Sequence, residues 1–228
     1  MKIDVHSHLL PGIDDGARDE KTVLELVKLF KKQGVDEVCL TPHFYSNNCQ
    51  LNEFIANRKK IFKKTKIVFQ NEGIKVRLGA EVLLSRNIFS NENLDELCYQ
   101  GTRYMLIELP DSVKKQKKLE PQINKLFANY SVIPIIAHVE RYRWLFNYRS
   151  LVWLNDVGCL VQFDNAALLK RRDRRKIKQY IDLGLIHLCG TDAHDLEQRT
   201  VNFDLLSRFL NEDQIEYLFK NAKKLFYK

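Results

Sequence analysis

Short apolar runs alternate along the chain with segments whose apolar residues recur at the spacing of a helix. The runs predict seven strands, at residues 3–5, 37–40, 75–79, 103–107, 132–136, 159–163 and 186–189. The first helical pattern places apolar side chains at positions i, i+3, i+4 and i+7, in Val23, Leu26, Val27 and Phe30. Asp19 is its predicted N-cap, and Gly34 lies just past its end. Six further helices are predicted at residues 51–68, 120–130, 150–157, 174–183, 201–210 and 212–226.

The alternation of strands and helices predicts a parallel α/β fold, because neighbouring parallel strands need a crossover that a helix supplies. The chain has no G-x-G-x-x-G motif and no internal linker. A barrel is therefore favoured over a doubly wound sheet. We expect a single domain over residues 1–228.

Composition is that of an ordinary globular protein of 228 residues, with 45% hydrophobic and 29% charged residues. No apolar run approaches the roughly 18 residues that a membrane span requires. The N-terminus lacks the pattern of a signal peptide, so we expect a cytoplasmic protein that is not embedded in a membrane. The five cysteines are scattered and include no C-x-x-C pair. This argues against a disulfide framework and against a thiolate zinc site.

Nine potential metal ligands lie at or just after the ends of predicted strands. They are His6, His8, Asp15, His43, Glu81, Glu108, His138, Asp192 and His194. Alternate residues of a strand face the same side, so the two histidines of the initial H-x-H can bind one ion. In a β/α barrel the carboxyl ends of all strands point to one face, where active sites lie. The sixth histidine, His187, lies inside the last strand and is predicted to be a core residue.

Five histidines and four carboxylates, without cysteine, suit divalent ions such as Mn²⁺, Fe²⁺ or Zn²⁺. Nine ligands exceed the needs of one ion and are enough for two or three. Clusters of this kind hydrolyse phosphate esters, because one ion activates water and the others neutralise charge on the phosphoryl oxygens. Arg141 and Arg199 follow predicted ligands closely and are expected to bind the phosphoryl group.

The ordered motifs resemble a known superfamily. H-x-H, T-P-H, G-A-E, I-A-H-V-E-R-Y and T-D-A-H are similar to the motifs of the PHP (polymerase and histidinol phosphatase) superfamily. The longer run D-V-H-S-H-L-L-P-G-I-D-D-G-A, at residues 4–17, resembles the bacterial manganese-dependent protein-tyrosine phosphatases of the CpsB/CapC type. These are linked to capsule and exopolysaccharide synthesis. The similarity covers essentially the whole chain. Val139 replaces a proline that is frequent in the family, and residues 162–165 match its Q-x-N segment only roughly.

The resemblance implies a PHP-type distorted (β/α)7 TIM-like barrel with three metal ions. The first ion would be held by His6, His8, Glu81 and Asp192, the second by Glu81, Glu108 and His138, and the third by Asp15, His43 and His194. Asp14 is adjacent to Asp15 and is the alternative ligand, but the family pattern favours Asp15 and assigns Asp14 to the turn. A metal-activated hydroxide would attack phosphorus directly, and Arg141 and Arg199 would bind the phosphoryl group. The expected substrate is the phosphotyrosine-containing tail of a bacterial tyrosine kinase.

Other functions remain open at this point. They are a small-molecule phosphatase of the histidinol-phosphate type, a nucleic-acid-processing phosphoesterase, and a degenerate metal-binding module. No nucleic-acid motif is present, and an intact ligand set argues against degeneration. Aromatic residues beside the predicted ligands, Phe44, Tyr45 and Tyr142, belong either to a rim for the substrate ring or to the core.

The net charge of +8 favours anionic partners. Basic residues cluster at 58–60, 63–64, 114–118 and 170–178, and such clusters are usually solvated. The alternative is that they dock the acidic kinase tail, for which residues 170–176 are the strongest candidate. The sequence does not define the oligomeric state.

Overall fold

The computed structural model describes residues 1–227, which form nine strands and seven α-helices. The strands are β1 (Ile3–Ser7), β2 (Glu37–Leu40), β3 (His43–Phe44), β4 (Lys75–Leu78), β5 (Glu81–Leu83), β6 (Tyr104–Glu108), β7 (Ile133–Ile136), β8 (Leu160–Asp164) and β9 (Leu188–Gly190). The helices are α1 (Glu20–Lys32), α2 (Leu51–Asn71), α3 (Gln116–Tyr130), α4 (Tyr148–Asp156), α5 (Arg171–Asp182), α6 (Asp204–Phe209) and α7 (Glu212–Phe226). All seven predicted strands are present within two residues of their predicted bounds.

The strands close into a parallel barrel with seven strand positions. One sheet has the order β1-β2-β4 and the other the order β3-β5-β6-β7-β8-β9, and all neighbours run parallel. Only two residues separate β2 from β3 and β4 from β5, so each pair is one interrupted strand. Ser7 forms a parallel bridge with Ala193, just beyond β9, and this contact joins the last strand to the first. The predicted distorted (β/α)7 barrel is confirmed.

The interruptions in the second and third strand positions were not predicted. Pro42 follows β2 and has no backbone N–H to donate, so the ladder breaks there. Gly79 follows β4, where a Cβ atom would lie 2.8 Å from the Tyr99 ring. After each break a short new strand begins with a candidate ligand, namely His43 in β3 and Glu81 in β5.

The ends of α1 match the predicted caps, whereas α3 differs from its predicted start. The Asp19 carboxylate accepts a hydrogen bond from the Thr22 N–H and caps α1, as predicted. Helix α3 begins four residues earlier than predicted, at Gln116, and Leu119 in its first turn is buried. Burial of this leucine stabilises a turn that its lysine-rich neighbours did not indicate.

The core lies between the helices and the barrel wall. Residues on both faces of β1 are buried, as expected for a strand of a closed parallel barrel. Arg58, predicted to be solvated, is also buried, and its guanidinium donates to the Gly79 and Glu96 carbonyl oxygens at 2.6 and 2.7 Å. Within residues 1–227, none of the helices combines the length and apolar character that crossing a bilayer requires.

His187 is a core residue, as predicted, and it makes stability depend on pH. Its Nδ1 accepts a hydrogen bond from the Val161 N–H at 3.1 Å, and burial lowers its pKa to about 4. The unfolded chain therefore binds a proton more readily than the folded chain between about pH 4 and 6.5, so the free energy of unfolding falls as the pH falls through this window.

We expect His187→Gln to remove part of this acid sensitivity. The wild type should lose up to about 3 kcal/mol more stability than the variant between pH 7 and pH 4. Urea unfolding of both proteins at several pH values measures the difference. Parallel losses in the two proteins would contradict a buried neutral His187.

Candidate metal centre

The first strand places two imidazoles at the carboxyl end of the barrel. Asp4, His6 and His8 alternate along the chain with Val5 and Ser7, so they share one face of β1 and its extension. The Asp4 carboxylate accepts hydrogen bonds from the backbone N–H and the hydroxyl of Thr191, at 2.9 and 2.5 Å. This contact ties β1 to the segment that follows β9, where Asp192 and His194 lie.

Four ligand atoms converge at the centre of the site. They belong to His6, His8, Glu81 and Asp192, all of them buried. The two histidine Nε2 atoms are 3.1 Å apart, and each lies 3.1 to 3.4 Å from Glu81 Oε2 and Asp192 Oδ1. These distances are five of the six edges of a tetrahedron, and a regular tetrahedron with edges of this length has its centre about 2 Å from each corner, which matches bonds from nitrogen and oxygen ligands to a divalent metal.

Two further groups of potential ligands adjoin the first. His8, Asp15, His43 and His194 form one, and His43, Glu81 and Glu108 form the other. Asp15 Oδ1 lies 3.3 Å from His43 Nε2 and 3.5 Å from His194 Nε2, while its side chain is 63% exposed. His8, His43 and Glu81 therefore each belong to two groups, as expected for ions that share ligands.

His138 contacts Glu81 rather than completing a group of its own. Its Nε2 lies 2.7 Å from Glu81 Oε1, whereas His43 Nδ1 lies 3.1 Å from Glu81 Oε2 and 3.9 Å from Glu108 Oε2. In this arrangement His43, and not His138, joins Glu81 and Glu108, the two residues with which the resemblance groups His138 at the second ion. The structure thus brings all nine predicted ligands to one face of the barrel.

The donor set fits bound cations. Five buried ligand atoms, in residues 1–227, have no hydrogen-bond partner: His43 Nδ1, Glu81 Oε2, His138 Nδ1, Asp192 Oδ1 and His194 Nε2. Burial raises the pKa of the Glu81 carboxyl, but His6 and the other histidines around it more than offset this and hold that pKa well below its usual range. Asp192 is held ionised in the same way. Unpaired, ionised ligands in a buried site are stabilised when they coordinate metal.

Asp14 orients His8, which belongs to two of the groups. Its Oδ2 lies 2.8 Å from His8 Nδ1 and accepts from the His43 N–H at 3.0 Å, while Oδ1 accepts from the Gly16 N–H. Burial raises the pKa of Asp14, but these hydrogen bonds outweigh it and bring the pKa to about 2. The turn predicted for Asp14 is present, and the contact with His8 is an additional role that the sequence did not indicate.

We expect Asp14→Asn to weaken metal binding. An amide cannot match the acceptor strength of the carboxylate beside His8, and loss of such an orienting partner costs about 10- to 100-fold in metal affinity. Competition with a chelator measures the change. Asp36→Asn is the matched control, because Asp36 pairs with the Lys2 backbone N–H at an exposed position. Equal affinities in all three proteins would contradict the orienting role.

Two arginines converge on one oxygen of Asp192. Arg199 Nη2 donates to Asp192 Oδ2 at 2.5 Å, and Arg141 Nη2 contacts the same oxygen. Arg141 also donates to Asp164 Oδ2 at 2.6 Å. The loop of Arg199 is fixed by Asp195, whose Oδ1 accepts from three successive backbone N–H groups. Both arginines therefore lie beside the four converging ligand atoms, with their charge directed toward an anionic oxygen.

Candidate ligands also adopt unfavourable backbone conformations. Asp192 and His138 have φ angles of 51° and 33°, in the left-handed region that side chains rarely occupy. Gln162 supports His138, because its Oε1 accepts from the His138 N–H at 2.8 Å. Strain of this kind is typical of functional sites, where the surrounding structure holds the residue in place. Gln162 and Asp164 lie in the segment that matches the family motif only roughly, and spacing alone gave no sign of their contacts.

Two clefts open beside Asp15. One, of about 590 Å³, is lined by His43 and by the apolar side chains of Ile13, Phe44, Tyr45 and Phe54, among others. The Tyr45 ring stacks on His43 with centroids 5.1 Å apart, whereas Phe44 is buried in the core. The other cleft, of about 650 Å³, is lined mainly by polar and charged residues, including Asp19, Glu25 and Glu197. Tyr142 lines neither cleft, and its ring lies 5.7 Å from that of His138.

A parallel β/α barrel with a histidine and carboxylate cluster at the carboxyl ends of its strands is typical of the barrel metallohydrolases. A model of the family described as "Capsular polysaccharide synthesis, CpsB/CapC" matches residues 2–227. The chain therefore belongs to the CpsB/CapC family.

Two named relatives share low sequence identity with this chain, but over most of its length. The tyrosine-protein phosphatase YwqE of Bacillus subtilis (strain 168) is 29% identical over 215 residues, which cover 86% of this chain and 79% of YwqE. The tyrosine-protein phosphatase CpsB of Streptococcus pneumoniae is 24% identical over 243 residues, which cover 98% of this chain and 94% of CpsB.

Solved structures support the fold. A structure from work on YwqE from Bacillus subtilis and CpsB from Streptococcus pneumoniae, described as metal-dependent tyrosine phosphatases, superposes with a TM-score of 0.72. The identity is 23%, and the match covers 98% of this chain and 93% of the other. A TatD-like protein from Archaeoglobus fulgidus matches with a TM-score of 0.57 at 13% identity, over 98% of each chain.

Proposed function

We propose that the chain is a metal-dependent protein-tyrosine phosphatase. The observation that carries the proposal is the convergence of four buried ligand atoms next to two arginines, with an aromatic cleft on the same face. Membership of the CpsB/CapC family adds support, because its named relatives are tyrosine-protein phosphatases. The reaction breaks the bond between phosphorus and the phenolic oxygen. Water supplies the new oxygen on phosphorus, and the products are tyrosine and inorganic phosphate.

The nine residues at the barrel face hold two or three divalent ions in this proposal, with Mn²⁺ as the expected metal. They are His6, His8, Asp15, His43, Glu81, Glu108, His138, Asp192 and His194. When bound, such ions supply Lewis acidity toward phosphoryl oxygens and lower the pKa of water. Asp14 and Gln162 orient the ligands through their hydrogen bonds to His8 and to the His138 backbone.

Arg141 and Arg199 bind the phosphoryl group. Their guanidinium groups already direct N–H donors to a common anionic oxygen on Asp192, so a phosphoryl oxygen nearby would meet the same donors. The leaving phenol has a pKa near ~10 and departs more readily than an alkoxide, so it needs less help from a general acid.

The cleft between His43 and Phe54 accepts the phenyl ring. Its apolar side chains and the half-buried Tyr45 ring offer an aromatic ring a place to pack, which a phosphoserine side chain cannot use. Selectivity for phosphotyrosine then comes from the ring, while the metals and arginines bind the phosphate that all monoesters share.

We expect Tyr45→Ala to weaken this selectivity. KM for a phosphotyrosine peptide should rise about fivefold with the loss of ring packing, while KM for a small alkyl phosphate stays unchanged. Steady-state kinetics on both substrates measure the split. Tyr148→Ala is the control, because Tyr148 is 55% exposed at the start of α4. An equal change on both substrates would argue against a ring-binding cleft at Tyr45.

The physiological substrate in this proposal is the phosphotyrosine-containing tail of a bacterial tyrosine kinase that acts in capsule or exopolysaccharide synthesis. The family description supports this setting. We place the reaction in the cytoplasm, where the five cysteines, four of them buried and all unpaired, remain reduced.

A substrate panel tests the proposal. Metal-stripped protein is given Mn²⁺ and assayed on a phosphotyrosine peptide, a phosphoserine peptide, histidinol phosphate and single-stranded DNA. We expect metal-dependent release of phosphate from the phosphotyrosine peptide in preference to the others. Hydrolysis of histidinol phosphate or DNA without any of phosphotyrosine would overturn the proposal.

A further inference from the structure

A cationic groove lies on the same face of the barrel, next to the candidate metal centre. It has a volume of about 570 Å³ and runs between the loop after β5, the loop after β6 and the first turns of α3. Arg86, Lys117 and Lys118 line it, together with the hydroxyl-bearing Ser85 and Ser112. The three cationic residues are exposed.

The groove begins at the candidate ligands themselves. Leu83 pairs with Glu108 in the ladder between β5 and β6, and the Leu84 N–H donates to the Glu108 carbonyl at 2.8 Å. Both leucines line the groove. On the other side, Ser46 and Ser85 are joined by a hydrogen bond of 2.8 Å. A substrate peptide that is bound at the metal centre and runs past Glu108 would therefore enter the groove.

In the part of the chain that the structure describes, no acidic side chain neutralises the positive charge of the groove. No acidic residue lines it, and within residues 1–227 none of its three cationic side chains forms an ion pair with a carboxylate. Asp111 is exposed beside Ser112 but lies outside the lining. The clefts beside Asp15 differ, because acidic side chains line both of them.

The basic run at residues 170–176 is a weaker candidate than the sequence suggested. Arg174 donates to the Leu168 carbonyl at 2.9 Å and lies over the Phe209 ring. Lys176 donates to the Phe146 carbonyl at 2.8 Å. These two cations stabilise the fold around α5, so they are less available to a partner than those of the groove.

We propose that the groove lined by Arg86, Lys117 and Lys118 binds an acidic segment of the protein substrate adjacent to its phosphotyrosine. The inference rests on the proposed phosphatase function and adds a second recognition element to it. Unpaired cations in a concave surface attract carboxylates, and the serine hydroxyls offer further hydrogen bonds to them. The groove then selects phosphotyrosines in acidic sequence, while the metal centre selects the phosphate.

A triple charge reversal tests the groove. Arg86→Glu/Lys117→Glu/Lys118→Glu is compared with the wild type on three substrates: a phosphotyrosine peptide with glutamates on both sides, the same peptide with glutamines, and p-nitrophenyl phosphate. In the wild type KM should be lower for the glutamate peptide, and 0.5 M salt should remove this difference. In the variant KM for the glutamate peptide should rise roughly tenfold, while the other two substrates are unaffected.

Lys60→Glu/Lys63→Glu/Lys64→Glu is the matched control. It changes the net charge by the same amount at exposed positions of α2, and it should leave the preference for glutamates intact. Equal KM values for the two peptides in the wild type would overturn the proposal that the groove binds an acidic segment. An equal effect of both triple variants would also overturn it.

A binding assay separates this inference from the proposed function. The glutamate peptide with unphosphorylated tyrosine is labelled, and its fluorescence anisotropy is followed with each protein. Binding that is lost only in the groove variant supports the groove even if no phosphotyrosine is hydrolysed. If the wild type binds this peptide no more strongly than the groove variant does, the proposed role of the groove is overturned, even if the enzyme is an active phosphatase.

Discussion

A His6→Ala/His8→Ala variant is expected to lose its bound metal and at least about 10³-fold in phosphatase activity. The two imidazoles supply two of the four converging ligand atoms, and these Nε2 atoms lie 3.1 Å apart. Removing them leaves Glu81 and Asp192 as buried carboxylates without the two nearest nitrogens. Metal analysis of the purified variant and its rate on a phosphotyrosine peptide measure the two losses.

His187→Gln is the matched control for this variant. His187 directly precedes β9, at the strand end opposite to the candidate ligands, and its Nδ1 accepts a hydrogen bond from the Val161 N–H within the core. It should keep the full metal content and activity. A double variant that retained full activity would refute the metal mechanism, and a control that lost as much metal would show that the loss reflects general destabilisation.

The periodicity of the sequence was sufficient to predict the barrel but not its interruptions. Strands β6, β7 and β8 are apolar runs of four or five residues, long enough to be recognised. Strands β3 and β5 have two and three residues, which is too short for any period to be visible. They exist because β2 and β4 break and the chain resumes pairing with the next strand, which is a property of the closed barrel and not of the local sequence.

The site was predictable where chemistry and position coincide. His43 and Glu81 were predicted as ligands because a metal-binding side chain followed an apolar run, and the structure brings both into groups of potential ligands. Arg58 was misassigned to a solvated cluster because its partners, the carbonyl oxygens of Gly79 and Glu96, lie 21 and 38 residues away. The roles of Asp14 and Gln162 were missed for the same kind of reason, since both act through hydrogen bonds that only the folded chain reveals.

Arg141→Lys is expected to lower kcat/KM on a phosphotyrosine peptide by about 10- to 100-fold without removing metal. Lysine keeps the positive charge, but it loses the planar guanidinium, whose Nη2 contacts both Asp164 and Asp192 and whose remaining N–H donors can bind phosphoryl oxygens in the same plane. A guanidinium stays protonated and does not coordinate metal, so metal content should match that of the wild type. Inorganic phosphate should also inhibit the variant less, because the same guanidinium would hold the product.

This combination of results separates an arginine that binds phosphate from one that only orients Asp192. If Arg141 acted only through Asp192, its replacement would reduce metal content as the histidine variant does. If it bound the phosphoryl group, metal would be retained while the rate and phosphate inhibition fell together. Arg143→Lys is the control, because Arg143 is exposed two residues further along the chain. Arg199 reaches the same oxygen of Asp192 from another loop, so Arg199→Lys should give the same results as Arg141→Lys. Unchanged rates in both variants would show that other groups bind the phosphate.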